Sequence, residues 1–252
     1  MGLHFALRFL TALPLPHDEV RPGEIGRSAA FFPLVGLLVG LTLAALDSLL
    51  RLVWPTAVAN AGLLIASILL TGGLHLDGLM DSCDGLFGRR DPVRRLEIMR
   101  DSRVGSFGVL GAVSVLLLLY ACLGELSGPP RTYALVLMAT LSRWAMVLSI
   151  WGFPYAREDG LGRSFKDGVT WGHLLLATCL ALATAALAVL VGLGPWTALV
   201  ACLSAGLVAV LAGAFVCTRI PGLTGDSYGA IDQLAEVAVL LSFVALARVG
   251  YG

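Results

Sequence analysis

The sequence predicts an all-α fold, a polytopic integral membrane helical bundle with about seven transmembrane helices and an N-terminal interfacial helix. Three observations predict it. Of the 252 residues, 58% are hydrophobic and only 13% charged, with a mean hydropathy of +0.87. A soluble domain carries about 25% charged residues, and half that content cannot cover a surface that faces water. Apolar runs near the length of a membrane-crossing helix, about 20 residues, recur along the chain. The remaining charges are concentrated. Residues 75–103, reading HLDGLMDSCDGLFGRRDPVRRLEIMRDSR, hold 12 of the 34 Asp, Glu, Lys and Arg residues in 29 positions.

The elements follow in order. His4, Arg8 and Thr11 share one side of a short segment whose other side is Leu3, Phe5, Leu7 and Leu10, the pattern of a helix lying on the membrane surface. No basic region precedes it, so a cleaved signal peptide is not expected. Pro14 and Pro16 end it, and residues 17–30 form a polar loop. The expected spans are 31–53, 56–74, 104–123, 132–152, 172–193, 195–217 and 231–249. The second leaves through Gly72-Gly73, and a Gly-Pro-Pro turn at 128–130 separates the third from the fourth. Further polar loops occupy 153–171 and 218–230. Cys83, Cys122, Cys179, Cys202 and Cys217 show no metal-site spacing and read as small apolar residues. With no linker, repeat or low-complexity segment, residues 1–252 read as a single membrane domain.

Seven spans fix a topology. With the N-terminus in the cytoplasm, 13 of the 17 basic residues fall on inner segments, as the positive-inside rule requires. The three polar stretches 75–103, 153–171 and 218–230 then share the cytoplasmic face. The expected place is the bacterial cytoplasmic (inner) membrane, multi-pass, with the N-terminus and the active site on the cytoplasmic side.

The charged stretch has readable chemistry. Asp77, Asp81 and Asp84 fall at i, i+4 and i+7, one face of a helix. Like charges gathered on one face call for a compensating cation, and hard oxygen donors without His or Cys suit Mg²⁺ or Mn²⁺. Glu97 and Asp101 repeat the i, i+4 spacing. Six arginines accompany the acids, and Arg suits phosphate. Carboxylates for a metal beside arginines for phosphate are the parts of phosphoryl transfer. Arg90, Arg94 and Arg95 serve equally well as an anchor on anionic lipid. His75 has no second histidine beside it, and a surface or supporting role is as open to it as a catalytic one. Arg143 lies within a span, where a lone cation is costly and is usually paired or functional; Asp226, Asp232, Glu236 or a substrate phosphate are its candidate partners. Thr224-Gly225-Asp226 form a polar turn where a helix N-terminus can receive phosphate. Loop 153–171, with Arg157, Glu158, Asp159, Arg163 and Lys166, reads as a flexible rim. There is no nucleic-acid-binding signal. The glycine-rich start of the third span, 105–111, permits close packing of a homodimer without requiring one.

GGLHLDGLMDSCDG at 72–85, with LEIMRDSRVGSFG at 96–108, resembles the cobalamin synthase family, the adenosylcobinamide-GDP ribazoletransferases. FLTALPLP at 9–16, FFPLVG at 31–36, SR at 142–143, YAREDGLG at 155–162 and TGDSYGA at 224–230 extend the resemblance along the whole chain. One departure is Gln233, where the family pattern has glutamate; Asp232 and Glu236 flank it.

The resemblance implies a transferase of cobalamin (vitamin B12) biosynthesis. Its substrates are adenosylcobinamide-GDP and α-ribazole or α-ribazole 5′-phosphate. Its products are adenosylcobalamin or its 5′-phosphate and GMP, with Mg²⁺ as cofactor. On that basis Asp77, Asp81, Asp84 and Glu97 are the expected metal ligands, and Asp101, Asp81 and Asp84 the catalytic residues, with Asp101 as the base. His75, Arg89, Arg100, Arg103, Arg143, Thr224 and Asp226 are the expected substrate contacts. Asp81-x-x-Asp84-Gly85-x-x-Gly88-Arg89 is also similar to the first half of the CDP-alcohol phosphotransferase signature, with Gly88 in place of its alanine. The alternatives are therefore a lipid-making enzyme of that kind and an ion-coupled transporter.

Overall fold

The computed structural model describes residues 2–16, 23–88 and 90–250. Among them are twelve α-helices: α1 (Gly2–Leu10), α2 (Glu24–Ser28), α3 (Phe32–Val53), α4 (Thr56–Thr71), α5 (Leu74–Leu86), α6 (Pro92–Ile98), α7 (Ser106–Glu125), α8 (Gly128–Gly152), α9 (Leu161–Gly168), α10 (Trp171–Leu190), α11 (Pro195–Cys217) and α12 (Gly225–Arg248). One 3₁₀ turn, Ala29–Phe31, joins α2 to α3. Six segments are long and apolar enough to cross a membrane: 24–53, α7, α8, α10, α11 and α12. Leu110, Leu117, Leu187, Leu190, Leu203 and Leu211 are exposed on α7, α10 and α11, an outer surface suited to lipid and not to water.

The expected second span, 56–74, is not a straight crossing. Helix α4 stops after 16 residues, short of the roughly 20 a straight span needs. Gly72 and Gly73 follow with φ of +62° and +72°. The Gly73 N–H returns to the Ile68 carbonyl at 2.8 Å, the helix-ending arrangement that left-handed glycine permits. The chain then turns by 90° into α5. Only α4 and α5 taken together pass as a seventh, bent span.

Two other expected boundaries move. The prolines of 128–130 do not form a turn between spans but sit in the first turn of α8, where a missing N–H costs nothing. The last helix begins at Gly225, not 231. Thr224 explains this, because its hydroxyl accepts the Ser227 N–H at 3.2 Å and caps the helix early. Asp226, Asp232 and Glu236 are thus all helical.

Helix α8 is the central post, packed by α3, α10, α11 and α12. It buries two arginines. Near its start, Arg131 makes a paired contact with Asp47 of α3, 2.8 Å for each bond, and donates to Asn60 of α4 at 2.7 Å. It also donates to the Leu123 carbonyl of α7. Four helices are stapled at one end of the bundle by a buried guanidinium. At the other end, Arg143 ties α8 to α5 and α12, as described below.

At that same end the three polar stretches meet, as their common placement in the sequence anticipates. Tyr155 and Leu223 form an isolated parallel bridge, with the Ala156 N–H on the Leu223 carbonyl and the Leu223 N–H on the Pro154 carbonyl, both at 2.8 Å. Lys166 of α9 is no rim residue. Its ammonium caps the end of α8 by donating to the carbonyls of Ile150 and Trp151 at 3.0 and 2.8 Å.

Removing one partner of a buried ion pair costs about 3–5 kcal/mol, because the other charge stays buried and unpaired. Arg131→Ala should therefore lower stability by about that amount, and Arg131→Ala with Asp47→Ala by clearly less; thermal unfolding in detergent micelles measures both. Equal losses in the two variants would show that the pair does not hold the helices.

Candidate active site

The sequence-predicted carboxylates lie on α5, and two glycines bring that helix against α12. A Cβ at Gly78 would stand 2.8 Å from the Asp226 carbonyl, and one at Gly229 would stand 3.1 Å from the His75 carbonyl. Only a glycine pair lets the backbones cross this closely. The crossing places Asp77, Asp81 and Asp226 in one neighbourhood. Asp77, Asp226 and Asp84 all press their charge on the half-buried Asp81, and Arg157 opposes them. Arg157 donates to Asp226 at 2.8 Å and reaches the Met99 carbonyl at 3.4 Å. The 153–171 loop therefore enters the site through Arg157, which sequence reading had left on the rim. Its signal was the single arginine of YAREDGLG, indistinguishable in sequence from its charged neighbours.

Asp84 shares the acidic face but has a structural task. Its two oxygens accept the backbone N–H groups of Gly105 at 2.7 Å and Gly108 at 2.8 Å. These are unpaired donors at the start of α7, so Asp84 caps that helix from a distance. Gly85 lets α6 approach, since a Cβ there would stand 2.3 Å from Met99 Cγ. Glu97 is exposed and paired with Arg94 at 2.7 Å, and it lines a surface cavity shared with Arg100 and Arg157.

The arginines divide in the same way. Arg95 is buried and neither anchors lipid nor awaits phosphate. It donates to the carbonyls of Gly85, Leu86, Gly88 and Arg90, closing the end of α5. Arg100 forms an exposed pair with Asp159 at 2.9 Å, bridging α6 to the 153–160 loop. Arg103 grips Asp101 through Nε at 3.0 Å and Nη2 at 2.6 Å. This guanidinium, with the Arg103 backbone N–H, holds the Asp101 carboxyl down to about 2. Arg89 lies outside the described residues.

Arg143 is wholly buried and carries a network. It donates to Glu236 and, at 2.9 Å, to Ser142, and its Nε lies 3.4 Å from Asp232. Of the partners expected from sequence, Asp232 and Glu236 take this place and Asp226 does not. Gln233, the departure from the family pattern, donates to Glu236 at 3.3 Å. His75 is buried, and its Nδ1 stands 3.2 Å from Arg143 Nη2 and 3.1 Å from Asp232. That nitrogen either accepts from the arginine or donates to the carboxylate. Thr224 is buried at the α12 cap, and it donates to Asp226 at 3.3 Å.

Beside this crossing lies a cleft of about 150 Å³, lined by Phe9, Phe32, Phe165 and Tyr228 and also by His75, Asp77 and Asp226. Sequence reading had assigned none of its four aromatic residues. They lie far apart in the chain, and nothing in their local patterns marks them as one wall.

The division of labour along α5 can be measured. Asp84→Ala should lower stability by the value of a lost cap, about 1–2 kcal/mol. Asp81→Ala, which removes one of several like charges, should leave stability unchanged or raise it. Thermal unfolding of both variants decides the matter, and an unchanged midpoint for Asp84→Ala would remove its capping role.

The family model for cobalamin-5-phosphate synthase, CobS, matches residues 2–244. The adenosylcobinamide-GDP ribazoletransferase of Desulfitobacterium hafniense is 42% identical over 246 residues, covering 95% of this chain and 94% of the relative. That of Geotalea daltonii is 39% identical over 248 residues, covering 98% of each. That of a Roseiflexus species is 42% identical over 237 residues, covering 93% of this chain and 86% of the relative. No solved structure matches the chain. A match of this length means that the chain belongs to the CobS family of cobalamin-5-phosphate synthases.

Proposed function

We propose that the chain joins adenosylcobinamide-GDP to α-ribazole, or to its 5′-phosphate, as a Mg²⁺-dependent phosphotransferase at the cytoplasmic face of a bacterial inner membrane. The observation that carries this reading is the gathering of Asp77, Asp81 and Asp226 against Arg157, in a chain that aligns over its length with ribazoletransferases.

Among the described residues no three His, Cys, Asp or Glu side chains converge as a closed ligand set. Mg²⁺ needs none, because it binds through one or two carboxylates together with waters and substrate phosphates. Asp77 and Asp81 are the residues that would hold it, with Asp226 across from them. Asp84 and Glu97 are otherwise engaged. Bound there, the ion would neutralise charge on the diphosphate and on the departing GMP.

The chain's own residues do the rest. Arg157 is held in place by Asp226, with Arg100 and Arg103 at the rim, and these cations receive phosphate oxygens. A ribose hydroxyl of the acceptor forms a bond to the phosphorus nearest the corrinoid. The bond from that phosphorus to the bridging oxygen breaks, and GMP carries away the electron pair. Asp101 takes the hydroxyl proton. While gripped by Arg103 it is too weak a base, since a general base works best with a pKa near the operating pH. Arg103 turning to the donor's phosphate releases it.

The assay is purified protein in lipid with Mg²⁺, α-ribazole and adenosylcobinamide-GDP, following GMP release and cobalamin formation. Turnover is expected, with Asp81→Asn and Asp77→Asn each reducing it at least a hundredfold. Reaction with CDP-activated donors alone, or ion flux through liposomes without transfer, would replace this reading. A cysteine introduced at Asp159 should react with a membrane-impermeant maleimide in inside-out vesicles and not in right-side-out ones; the reverse pattern would invert the orientation.

A further inference from the structure

The cleft beside the carboxylates has three properties that together describe a ligand. Its walls are aromatic: Phe165 packs on Phe9 at 4.9 Å and on Phe32 at 5.3 Å between ring centres, and Tyr228 closes the wall. Two of its lining residues, His75 and Tyr228, are almost fully buried, and each carries a buried polar atom with no partner in the protein, His75 Nε2 and Tyr228 Oη. Asp77 and Asp226 belong to the same lining, so whatever fills the cleft is continuous with the acidic centre.

Buried polar atoms without partners are rare in folded proteins, and a ligand seated between these two lining residues can give one of them a partner. The volume is that of a small ring. A cavity of about 150 Å³ with apolar walls accepts a single aromatic ring system, far less than a corrin. An acyl chain would leave both polar atoms unsatisfied. Guanine would bury more polar groups than two partners can satisfy, at a cost for each. A flat, mostly apolar heteroaromatic ring fits the walls, and its one free ring nitrogen accepts a hydrogen bond from one of the two polar atoms.

We propose that this cleft, closed by Phe9, Phe32, Phe165 and Tyr228, seats the benzimidazole ring of the acceptor, with the Tyr228 hydroxyl donating to its free ring nitrogen and His75 beside it. The assignment rests on the ribazole-transfer reading above. It places the two substrates on opposite sides of Asp77 and Asp226. The ring enters the aromatic cleft, its ribose faces the carboxylates, and the donor's diphosphate lies on the arginine side. His75, buried at the Arg143 network, then lines the seat of the acceptor's ring, and the choice of ring is set by the size of the cleft.

Steady-state kinetics of two variants test this. Ile150→Phe fills the cleft from α8, and Tyr228→Phe removes one polar atom without changing the wall. Each should raise KM for α-ribazole at least tenfold and leave KM for adenosylcobinamide-GDP within about twofold. Free 5,6-dimethylbenzimidazole should inhibit the wild-type protein competitively against α-ribazole, a readout that needs no variant to fold. A rise in donor KM alone would assign the cleft to guanine and overturn the proposal. Unaltered acceptor KM in both variants, or inhibition that is not competitive with α-ribazole, would also overturn it while the transfer reaction stands. A wild-type protein that forms no cobalamin would overturn the reaction itself, and this assignment with it.

Discussion

The buried Arg143 is the constraint on which the arrangement depends. A guanidinium enclosed in an apolar bundle must be met by opposite charge, and the residues that meet it come from different helices. Asp232 and Glu236 belong to α12, His75 to α5 and Arg143 to α8. Apolar packing between membrane helices is tolerant of sliding and rotation, because lipid chains are as apolar as leucine. A multi-centre ion pair is not tolerant. It fixes the rotation of α5 and α12 about their axes, and that rotation decides whether Asp77, Asp81 and Asp226 face one another.

The glycines supply what the ion pair cannot. Gly72 and Gly73 turn the chain out of α4, so α5 is set at 90° to it and meets the start of α12. Gly78 and Gly229 then allow backbone contact at the crossing. Charge sets orientation and missing side chains set distance. Capping completes the frame: Asp84 closes the start of α7, Arg95 the end of α5 and Lys166 the end of α8. At a membrane surface these long or acidic side chains do work that water does at the helix ends of a soluble protein.

Much of this was legible in the sequence, for definable reasons. Composition and run length gave the helical membrane class, and the i, i+4 spacing of Asp77 and Asp81 gave the acidic face. Arg143 stood out because a charge inside an apolar run is costly wherever the fold puts it. Local pattern failed where the deciding partner was distant in the chain. Asp84 looks like Asp81 until Gly105 and Gly108 are seen above it. Arg95 looks like Arg94 until the end of α5 is seen beneath it. Arg157 was one charge among several until Asp226 was found opposite. The bend at Gly72-Gly73 was marked by its residues, but not its angle. The 56–74 run had the length of a crossing, and only the helix's early stop shows that it is not a straight one.

The same distinction explains why the charges of 75–103 are so many when the acidic centre uses few of them. A segment that leaves the apolar interior, turns and re-enters at α7 must end α5 and both start and end α6 within 29 positions, just ahead of the start of α7. Each end exposes backbone groups that need partners. Asp84, Asp91 and Arg95 meet such needs, and Arg94 with Glu97 forms a solvated pair on α6. What is left over among the described residues is Asp77 and Asp81 on α5 and Arg90 ahead of α6, together with the pairs Arg100–Asp159 and Arg103–Asp101 at the rim. The pairs are exposed and worth little to stability, so exchanging a carboxylate partner for a phosphate costs the fold little. Asp77 and Asp81 have no cation on their own helix, and Arg157 across the crossing is already bonded to Asp226. An acidic face left short of positive charge by its own fold is one that a cation-bound, phosphate-bearing substrate completes.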